Sequence, residues 1–146
     1  MSSILDNMKI LFIKPHSPTI NQAIDLPLGI LSLSAYLKTM HKDKVDIRFI
    51  DFRVQEDPWI LLERELKEFN PDIVGVSMLT FEEGFLKKCA NICKANCSAK
   101  IVVGGPHATI CYEGVLQDRK VDYVVVGEGE RVLSNVVDRS INGEDI

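Results

Sequence analysis

Long apolar runs, a basic N-terminus and an excess of positive charge are all missing from this 146-residue sequence. No apolar run approaches the ~18 residues that cross a bilayer, so we expect no membrane span. Residues 1–9 show neither the basic start nor the apolar segment of a secretory signal. With 17 basic and 21 acidic residues the net charge is −4, which disfavours nucleic acid as a partner. The four cysteines are then expected to be reduced thiols in a cytoplasmic protein.

What remains is the composition of one globular domain. Hydrophobic residues make up 46% of the chain and charged residues 26%, which is close to the average for soluble folds and argues against disorder. The length suits a single domain, which we predict to span residues 1–146 with a flexible tail at residues 1–7.

Five short apolar segments, each followed by a stretch with helical spacing, predict the fold. Three of them are nearly continuous runs rich in valine and isoleucine, which is typical of strands covered on both faces. The stricter alternation in Val45–Phe52 indicates an edge strand. The predicted strands are Lys9–Lys14, Val45–Phe52, Asp72–Met78, Lys100–Gly104 and Asp122–Val126, and the predicted helices are Leu28–Met40, Trp59–Phe69, Phe81–Cys97, Thr109–Leu116 and Arg131–Ile141. We therefore predict an α/β fold, a doubly wound five-stranded parallel sheet in the flavodoxin-like order 2-1-3-4-5 with helices on both faces.

Small residues follow three of the predicted strands, at the edge where such sheets bind ligands. Ser77 and Thr80 follow the third strand, Gly104-Gly105 ends the fourth, and Gly127-Glu128 follows the fifth. The loop after the first strand, residues 15–26, is about twice the usual length, which favours a functional role. Glycines without a Cβ let a ligand approach the backbone, although turn and packing glycines are the alternative. Together these ends predict a slot that opens toward the first loop.

No nucleotide fingerprint fits this slot. A Gly-x-Gly-x-x-Gly run is absent after the first strand, and no phosphate-binding Gly-x4-Gly-Lys-Ser/Thr run occurs. Glu128 and Glu130 would place two carboxylates beside any phosphate. We interpret both as first-turn residues of the last helix, with a hydrogen bond to a ligand hydroxyl as the alternative.

Four motifs occur in order at these strand ends. They are LPLGIL at residues 26–31, DIVGVS at residues 72–77, VGGPHAT at residues 103–109 and DYVVVGEGE at residues 122–130. Ser77-x-Leu79, followed 27 residues later by Gly104-Gly105, also resembles two elements of the cobalamin-binding signature. As a set, and over roughly residues 8–137, they resemble the N-terminal cobalamin-binding domain of cobalamin-dependent radical SAM proteins.

This resemblance implies a corrinoid across the carboxyl edge of the sheet, with its nucleotide tail in a slot between strands one and three. Ser77 and Thr80 would line the tail pocket, and Gly104 and Gly105 would admit the ribose-phosphate. The implied cofactor-binding residues are Pro15 and His16 under the ring, with Ser77, Leu79, Thr80, Gly104, Gly105, Pro106, Gly127 and Glu128.

His16 departs from the wider signature, Asp-x-His-x-x-Gly, in which the histidine ligates cobalt and the acid orients it. His16 falls at the histidine position, but Lys14 replaces the acid and Thr19 the glycine. Radical SAM relatives generally leave the lower face of cobalt without a histidine. We therefore expect no metal ligand from this chain, with cobalt ligation by His16 as the alternative.

The cysteines are also expected to bind no metal. Cys89, Cys93 and Cys97 are spaced close to the C-x3-C-x2-C run that holds a radical SAM cluster, but the segment is predicted to be helical. Thiols four residues apart share one face of a helix, so we interpret them as buried. The radical SAM domain, with its 4Fe-4S cluster and S-adenosylmethionine, is then expected to belong to a longer parent protein and to be absent from this chain.

The preferred hypothesis is therefore a cobalamin-binding module that does not turn over by itself, the N-terminal part of a radical SAM enzyme such as a methyltransferase. The alternative is a cofactor-free domain of the same fold, either a signalling domain of receiver type or a docking surface with a degenerate slot. A receiver needs a phosphoacceptor aspartate after strand three and acidic residues after strand one. Ser77 and Lys14-Pro15 stand there instead.

Overall fold

A five-stranded parallel sheet forms the centre of the computed structural model, which describes residues 7–17 and 24–144. The order is β2-β1-β3-β4-β5, so the predicted fold class and strand order are confirmed. The segment predicted as an edge strand, β2, lies at an edge. The strands are β1 (Met8–Lys14), β2 (Val45–Asp51), β3 (Ile73–Ser77), β4 (Lys100–Gly104) and β5 (Tyr123–Val124).

Six α-helices are present in the described part of the chain. They are α1 (Leu28–His41), α2 (Pro58–Glu68), α3 (Glu83–Asn96), α4 (Pro106–Ile110), α5 (Tyr112–Val115) and α6 (Glu130–Ile141), with 3-10 turns at Lys42–Lys44 and Thr80–Glu82. The single helix predicted over Thr109–Leu116 is wrong. Two short helices replace it, and the first begins at Pro106, whose fixed φ suits a first helical position.

The last strand is shorter than the predicted Asp122–Val126 because its only neighbour ends early. Val124 pairs with Val103, and the Val125 N–H still donates to the Val103 carbonyl at 2.8 Å. Beyond Gly104 the backbone of β4 turns away at Gly105, where φ is +96°. Val126 therefore finds no strand partner and is exposed.

Successive side chains along each strand point to opposite faces of the sheet and pack into two separate cores, one on each face. On the first face, which we call the α1/α6 face, Ile10, Phe12 and Val102 pack with residues of α1 and α6 such as Leu37 and Val137. On the other face the intervening strand residues pack against α2 and α3. The members of that core from β1, β3 and β4 are Leu11, Ile13, Val74, Val76, Ile101 and Val103.

The prediction of buried helical thiols is confirmed for Cys89 and Cys93 on α3 but not for Cys97, which follows the helix. The thiols of Cys89 and Cys93 are buried 4.0 Å apart, and Cys97 is partly buried just after the helix. Of the tail predicted at residues 1–7, residues 1–6 lie outside the described residues, and Asn7 is exposed. Within the two described ranges, no helix is both long and apolar enough to cross a membrane.

Candidate functional site

A cleft of about 490 Å³ opens at the carboxyl edge of the sheet, between its α1/α6 face and those two helices. Three strand positions that face this side carry little or no side chain, namely Gly75 and Ser77 of β3 and Gly104 of β4. A Cβ at Gly75 would lie 2.6 Å from the Phe12 ring, and a Cβ at Gly104 would lie 3.8 Å from Val125. The cleft therefore exists because Ser77 and Gly104 are small at the ends of β3 and β4, whereas the space above Gly75 is filled by the ring of Phe12.

The inner wall of the cleft is apolar and belongs to the core of the α1/α6 face. Its members are Phe12, Ile30, Val102, Val125 and Leu133, each buried. The remaining lining residues lie toward the mouth or between the strands, and they are Gly29, Leu33, Val76, Gly105, Pro106, Thr109, Ile110, Gly127, Glu128, Gly129 and Glu130. The site is thus an apolar recess with polar side chains near its opening.

The hydroxyl of Thr109 holds the rim of the cleft in place. It donates to the Gly105 carbonyl at 3.1 Å and accepts from the Gly127 N–H at 3.0 Å. Through these two bonds α4 is tied to the loop between β5 and α6. Across the mouth, Ser32 of α1 donates to Oε1 of Glu130 on α6 at 2.9 Å. The rim is therefore a hydrogen-bonded frame built by side chains of three helices.

Replacing Thr109 by Val is expected to release the Gly127 loop while leaving the sheet intact. The methyl group fills the space of the hydroxyl, but both hydrogen bonds are lost, at a cost of about 1 kcal/mol each. We expect the Gly127 amide to exchange with solvent about fivefold faster, measured by NMR hydrogen exchange, with the amides of β1 and β3 unchanged. Thr109→Ser, which retains the hydroxyl, should behave as the parent. Unchanged exchange at Gly127 in Thr109→Val would contradict this role.

Gly105 is required by the protein's own backbone. With φ at +96° and ψ at −179°, it occupies a region that is essentially restricted to glycine. An added Cβ would lie 2.8 Å from the Met78 carbonyl oxygen and 2.9 Å from the Met78 nitrogen. Gly105 lines the cleft, as the prediction that it admits a ligand requires, but its missing side chain also has a packing role within the protein. Gly104 opens onto the cleft, whereas the missing side chain of Gly105 lets β3 and β4 close together at their ends.

Six of the ten residues predicted from the sequence line the cleft. They are Ser77, Gly104, Gly105, Pro106, Gly127 and Glu128. Pro15, His16, Leu79 and Thr80 do not line it. Thr80 is exposed, and its hydroxyl lies 3.3 Å from Nδ1 of His107, so it does not share a pocket with Ser77.

The predicted slot between strands one and three is also displaced. Phe12 of β1 occupies the space above Gly75, where a Cβ would meet its ring. The recess therefore lies over β3 and β4, with Phe12 as part of its wall. The sequence pattern could not show this, because it depends on which way one aromatic ring turns.

A buried ion pair lies where the chain leaves β1. Nζ of Lys14 is 3.1 Å from Oε1 of Glu82, and their side chains are 13% and 0% exposed. The other oxygen of Glu82 accepts from the Leu79 N–H at 2.6 Å. Lys14 stands where the cobalamin signature has its aspartate. Its side chain is thus paired with the 3-10 turn before α3 and does not orient a histidine.

His16 has no carboxylate partner in the described part of the chain. Its Nδ1 is buried and makes no hydrogen bond to a described residue. The ring is partly buried as a whole. Residues 18–23 of the same loop, including Thr19, lie outside the described residues.

The residues that lead into α1 are anchored by Arg53, whose side chain is 4% exposed. Its guanidinium binds Asp51 at 2.8 and 2.9 Å and reaches both the carboxylate and the carbonyl of Asp25. Burial raises the pKa of Asp51, but the hydrogen bonds and the charge of Arg53 outweigh burial and hold that pKa below its ordinary value. Asp51 therefore stays ionised at neutral pH, and this anchor weakens only as the pH falls through the lowered pKa.

Sequence reasoning missed several residues of the cleft. Gly29 lines its mouth from the first turn of α1, and a Cβ there would meet nothing within 4 Å. A glycine in the first turn of a predicted helix was a usable signal, since alanine is more favourable there. The apolar wall residues Phe12, Ile30 and Leu133 gave no such signal, because their periodicity is that of ordinary core residues.

Comparison with known proteins gives one family and consistent relatives. The B12 binding domain model matches residues 25–137. An uncharacterized methyltransferase of Pyrococcus horikoshii is 31% identical over 145 residues, which are 95% of this chain and 31% of that protein. The anaerobic magnesium-protoporphyrin IX monomethyl ester cyclase of Rubrivivax gelatinosus is 31% identical over 135 residues, which are 89% of this chain and 24% of that protein.

A solved structure shares the fold. The cobalamin-dependent S-adenosylmethionine radical enzyme OxsB, with aqua-cobalamin bound, superposes with a TM-score of 0.81 at 19% identity, covering 97% of this chain and 20% of that chain. At this identity the likeness shows the architecture alone. This chain spans less than a third of the length of each of these three proteins.

Proposed function

This chain belongs to the B12 binding domain family, and from that premise we propose that it holds cobalamin at the cleft between the sheet and helices α1 and α6. Its sequence and fold resemble the N-terminal cobalamin-binding part of cobalamin-dependent radical SAM methyltransferases. One observation carries the proposal for this chain's own residues. An apolar recess of about 490 Å³ lies open at the carboxyl edge of a doubly wound sheet, within the size range, roughly 300–1,000 Å³, of small-molecule pockets.

The residues present fit the nucleotide tail of a corrinoid. Gly104 and Gly29 leave the entrance open, since an added Cβ at either meets no atom closer than 3.8 Å. Ser77 places a hydroxyl at the mouth, where it would donate to the ribose or phosphate of the tail. The apolar inner wall would receive the base of the tail. This open recess favours a ligand-binding role over the alternative from the sequence, a cofactor-free interaction or signalling domain with a degenerate slot.

The corrin ring is proposed to lie across the same edge of the sheet. Pro15, His16 and Leu79 would then face the ring, while Pro106, Gly127 and Glu128 would border the tail. When bound, the corrinoid would supply the cobalt chemistry, and this chain would orient it and exclude water. Lys14 stands at the position of the signature's acid and is engaged with Glu82, and no carboxylate of the described residues orients His16. Cobalt ligation by His16 is accordingly not proposed.

The module is proposed to work within a larger cytoplasmic enzyme. Its relatives are three or more times longer, and OxsB is named as a cobalamin-dependent S-adenosylmethionine radical enzyme. We infer that a radical SAM domain of the same parent protein, carrying a 4Fe-4S cluster and S-adenosylmethionine, is the partner of this chain. Methyl transfer is the proposed reaction class, as in the name of the Pyrococcus horikoshii relative. The domain itself is proposed to bind without turnover.

Retention of hydroxocobalamin tests the proposal directly. We expect the purified chain, mixed with hydroxocobalamin and passed through a desalting column, to keep one corrinoid per chain, measured from the visible corrin absorbance. A folded protein of similar size without a B12 binding domain serves as the control for non-specific carry-over. A folded chain that retains no corrinoid at micromolar concentration would contradict the proposed function.

A further inference from the structure

Among the described residues, no polar side chain lies at the inner end of the cleft. Phe12, Ile30, Val102 and Leu133 form it, with exposures of 2%, 2%, 5% and 4%. The backbones behind them are also occupied. Gly75 pairs with Phe12 on one side and with Val102 on the other, so their N–H and carbonyl groups belong to the sheet.

The polar side chains of the cleft all lie near its opening. Ser77 ends β3, and Thr109, Glu128 and Glu130 belong to the rim. Two of these are already engaged within the protein, since Thr109 bonds Gly105 and Gly127, and Glu130 accepts from Ser32. A polar ligand group that reaches the inner end therefore finds no side chain of the described residues with which to form a hydrogen bond.

We propose that this cleft selects corrinoids by the base of the nucleotide tail, accepting an apolar benzimidazole base and rejecting an adenine base. The inference rests on the proposed function and adds a selectivity that the fold does not require. A dimethylbenzimidazole carries methyl groups on its outer edge, which the apolar wall can cover. An adenine carries an amino group and ring nitrogens there, and each would lose water without gaining a partner.

The size of the discrimination follows from the cost of buried polar groups. One unsatisfied buried donor or acceptor weakens binding by roughly 5- to 150-fold. We therefore expect the adenine form to bind at least about tenfold more weakly than cobalamin. Its affinity should approach that of cobinamide, which has no nucleotide tail and so cannot use the recess.

Val102 provides a variant that changes the selectivity. Its side chain is part of the apolar inner wall, and threonine has nearly the same shape with a hydroxyl in place of one methyl group. Val102→Thr is expected to narrow the preference for cobalamin over the adenine form by about threefold or more, since the new hydroxyl can bond an adenine nitrogen. The matched control is Val103→Thr. That residue is the next along β4 and faces the opposite core, so it adds the same buried hydroxyl away from the cleft.

The experiment measures dissociation constants of the same chain for hydroxocobalamin, for the corresponding adenine-base corrinoid and for cobinamide, by quenching of Trp59 or by calorimetry. The inference is supported if cobalamin binds at least about tenfold more tightly than the other two and only Val102→Thr narrows the gap. Equal affinity for the two bases, or equal affinity for cobinamide and cobalamin, would overturn it and leave the proposed function standing. Absence of binding to all three corrinoids would overturn the proposed function, and this inference with it.

Discussion

Placing a tryptophan at Gly29 is expected to weaken cobalamin binding by about 10- to 100-fold without unfolding the protein. Gly29 is the second residue of α1 and lines the cleft, and its Cβ position has nothing within 4 Å. The new indole can therefore enter the recess and cover the apolar wall. A ligand must then displace an aromatic group whose burial is worth about 1.5–3 kcal/mol, which corresponds to the stated loss. Titration with hydroxocobalamin and a urea unfolding curve are the two measurements.

The chain provides a closely matched control for this substitution. Gly84 is the second residue of α3, which has the same length as α1, and a Cβ there also meets nothing within 4 Å. Gly84 does not line the cleft. Gly84→Trp should therefore bind cobalamin as the parent does. If Gly29→Trp bound cobalamin as tightly as the parent, this cleft would not be part of the cobalamin-binding site.

The substitution Gly105→Ala is expected to lower the free energy of unfolding by about 3 kcal/mol. The backbone of Gly105 occupies a region that costs other residues roughly 1–3 kcal/mol. The added Cβ would also press against both backbone atoms of Met78, at 2.8 and 2.9 Å, where no flexible side chain can move aside. The end of β4 must then separate from β3. The loss is measured as a shift of the urea unfolding midpoint.

Gly104 provides the control that separates the backbone strain at Gly105 from the effect of adding a methyl group. Gly104→Ala places its Cβ 3.8 Å from Val125, which is ordinary van der Waals contact. Because Gly104 has an extended backbone, the free energy of unfolding of Gly104→Ala should differ from that of the parent by no more than about 0.5 kcal/mol. If Gly105→Ala proved as stable as Gly104→Ala, the close approach of β3 and β4 would not depend on this residue.

The pattern of the sequence was sufficient for the strands but not for every helix. Continuous apolar runs, one alternating run and regular helical spacing located the strands, because each signal comes from burial along a local stretch. The strand order is not written in those patterns, and it was predicted from the arrangement that five alternating strands and helices favour. The region after β4 was predicted less well. There a helix begins at Pro106 and is interrupted at Cys111, whose backbone leaves the helical conformation at φ −119° and ψ 33°. Such a break depends on tertiary packing.

The site was predicted in part for a comparable reason. Small residues at strand ends are visible in a sequence, and Ser77, Gly104 and Gly127 were found in this way. Which face each residue adopts, and whether a neighbouring ring covers it, is decided in three dimensions. Thr80 follows Ser77 by three residues but lies in a 3-10 turn directed toward His107. The sequence pattern predicts that Phe12 is a core residue, and the structure places it in the core. The same ring also forms a wall of the cleft.

The division of the interior into two cores affects how the domain acquires its cofactor. The small strand residues of the recess, Gly75, Ser77 and Gly104, lie on the α1/α6 face, while the opposite face packs against α2 and α3. Folding of the sheet can therefore rely on the side that no ligand enters. A chain made before cobalamin is available is therefore expected to fold with its cleft already formed and open to the cofactor.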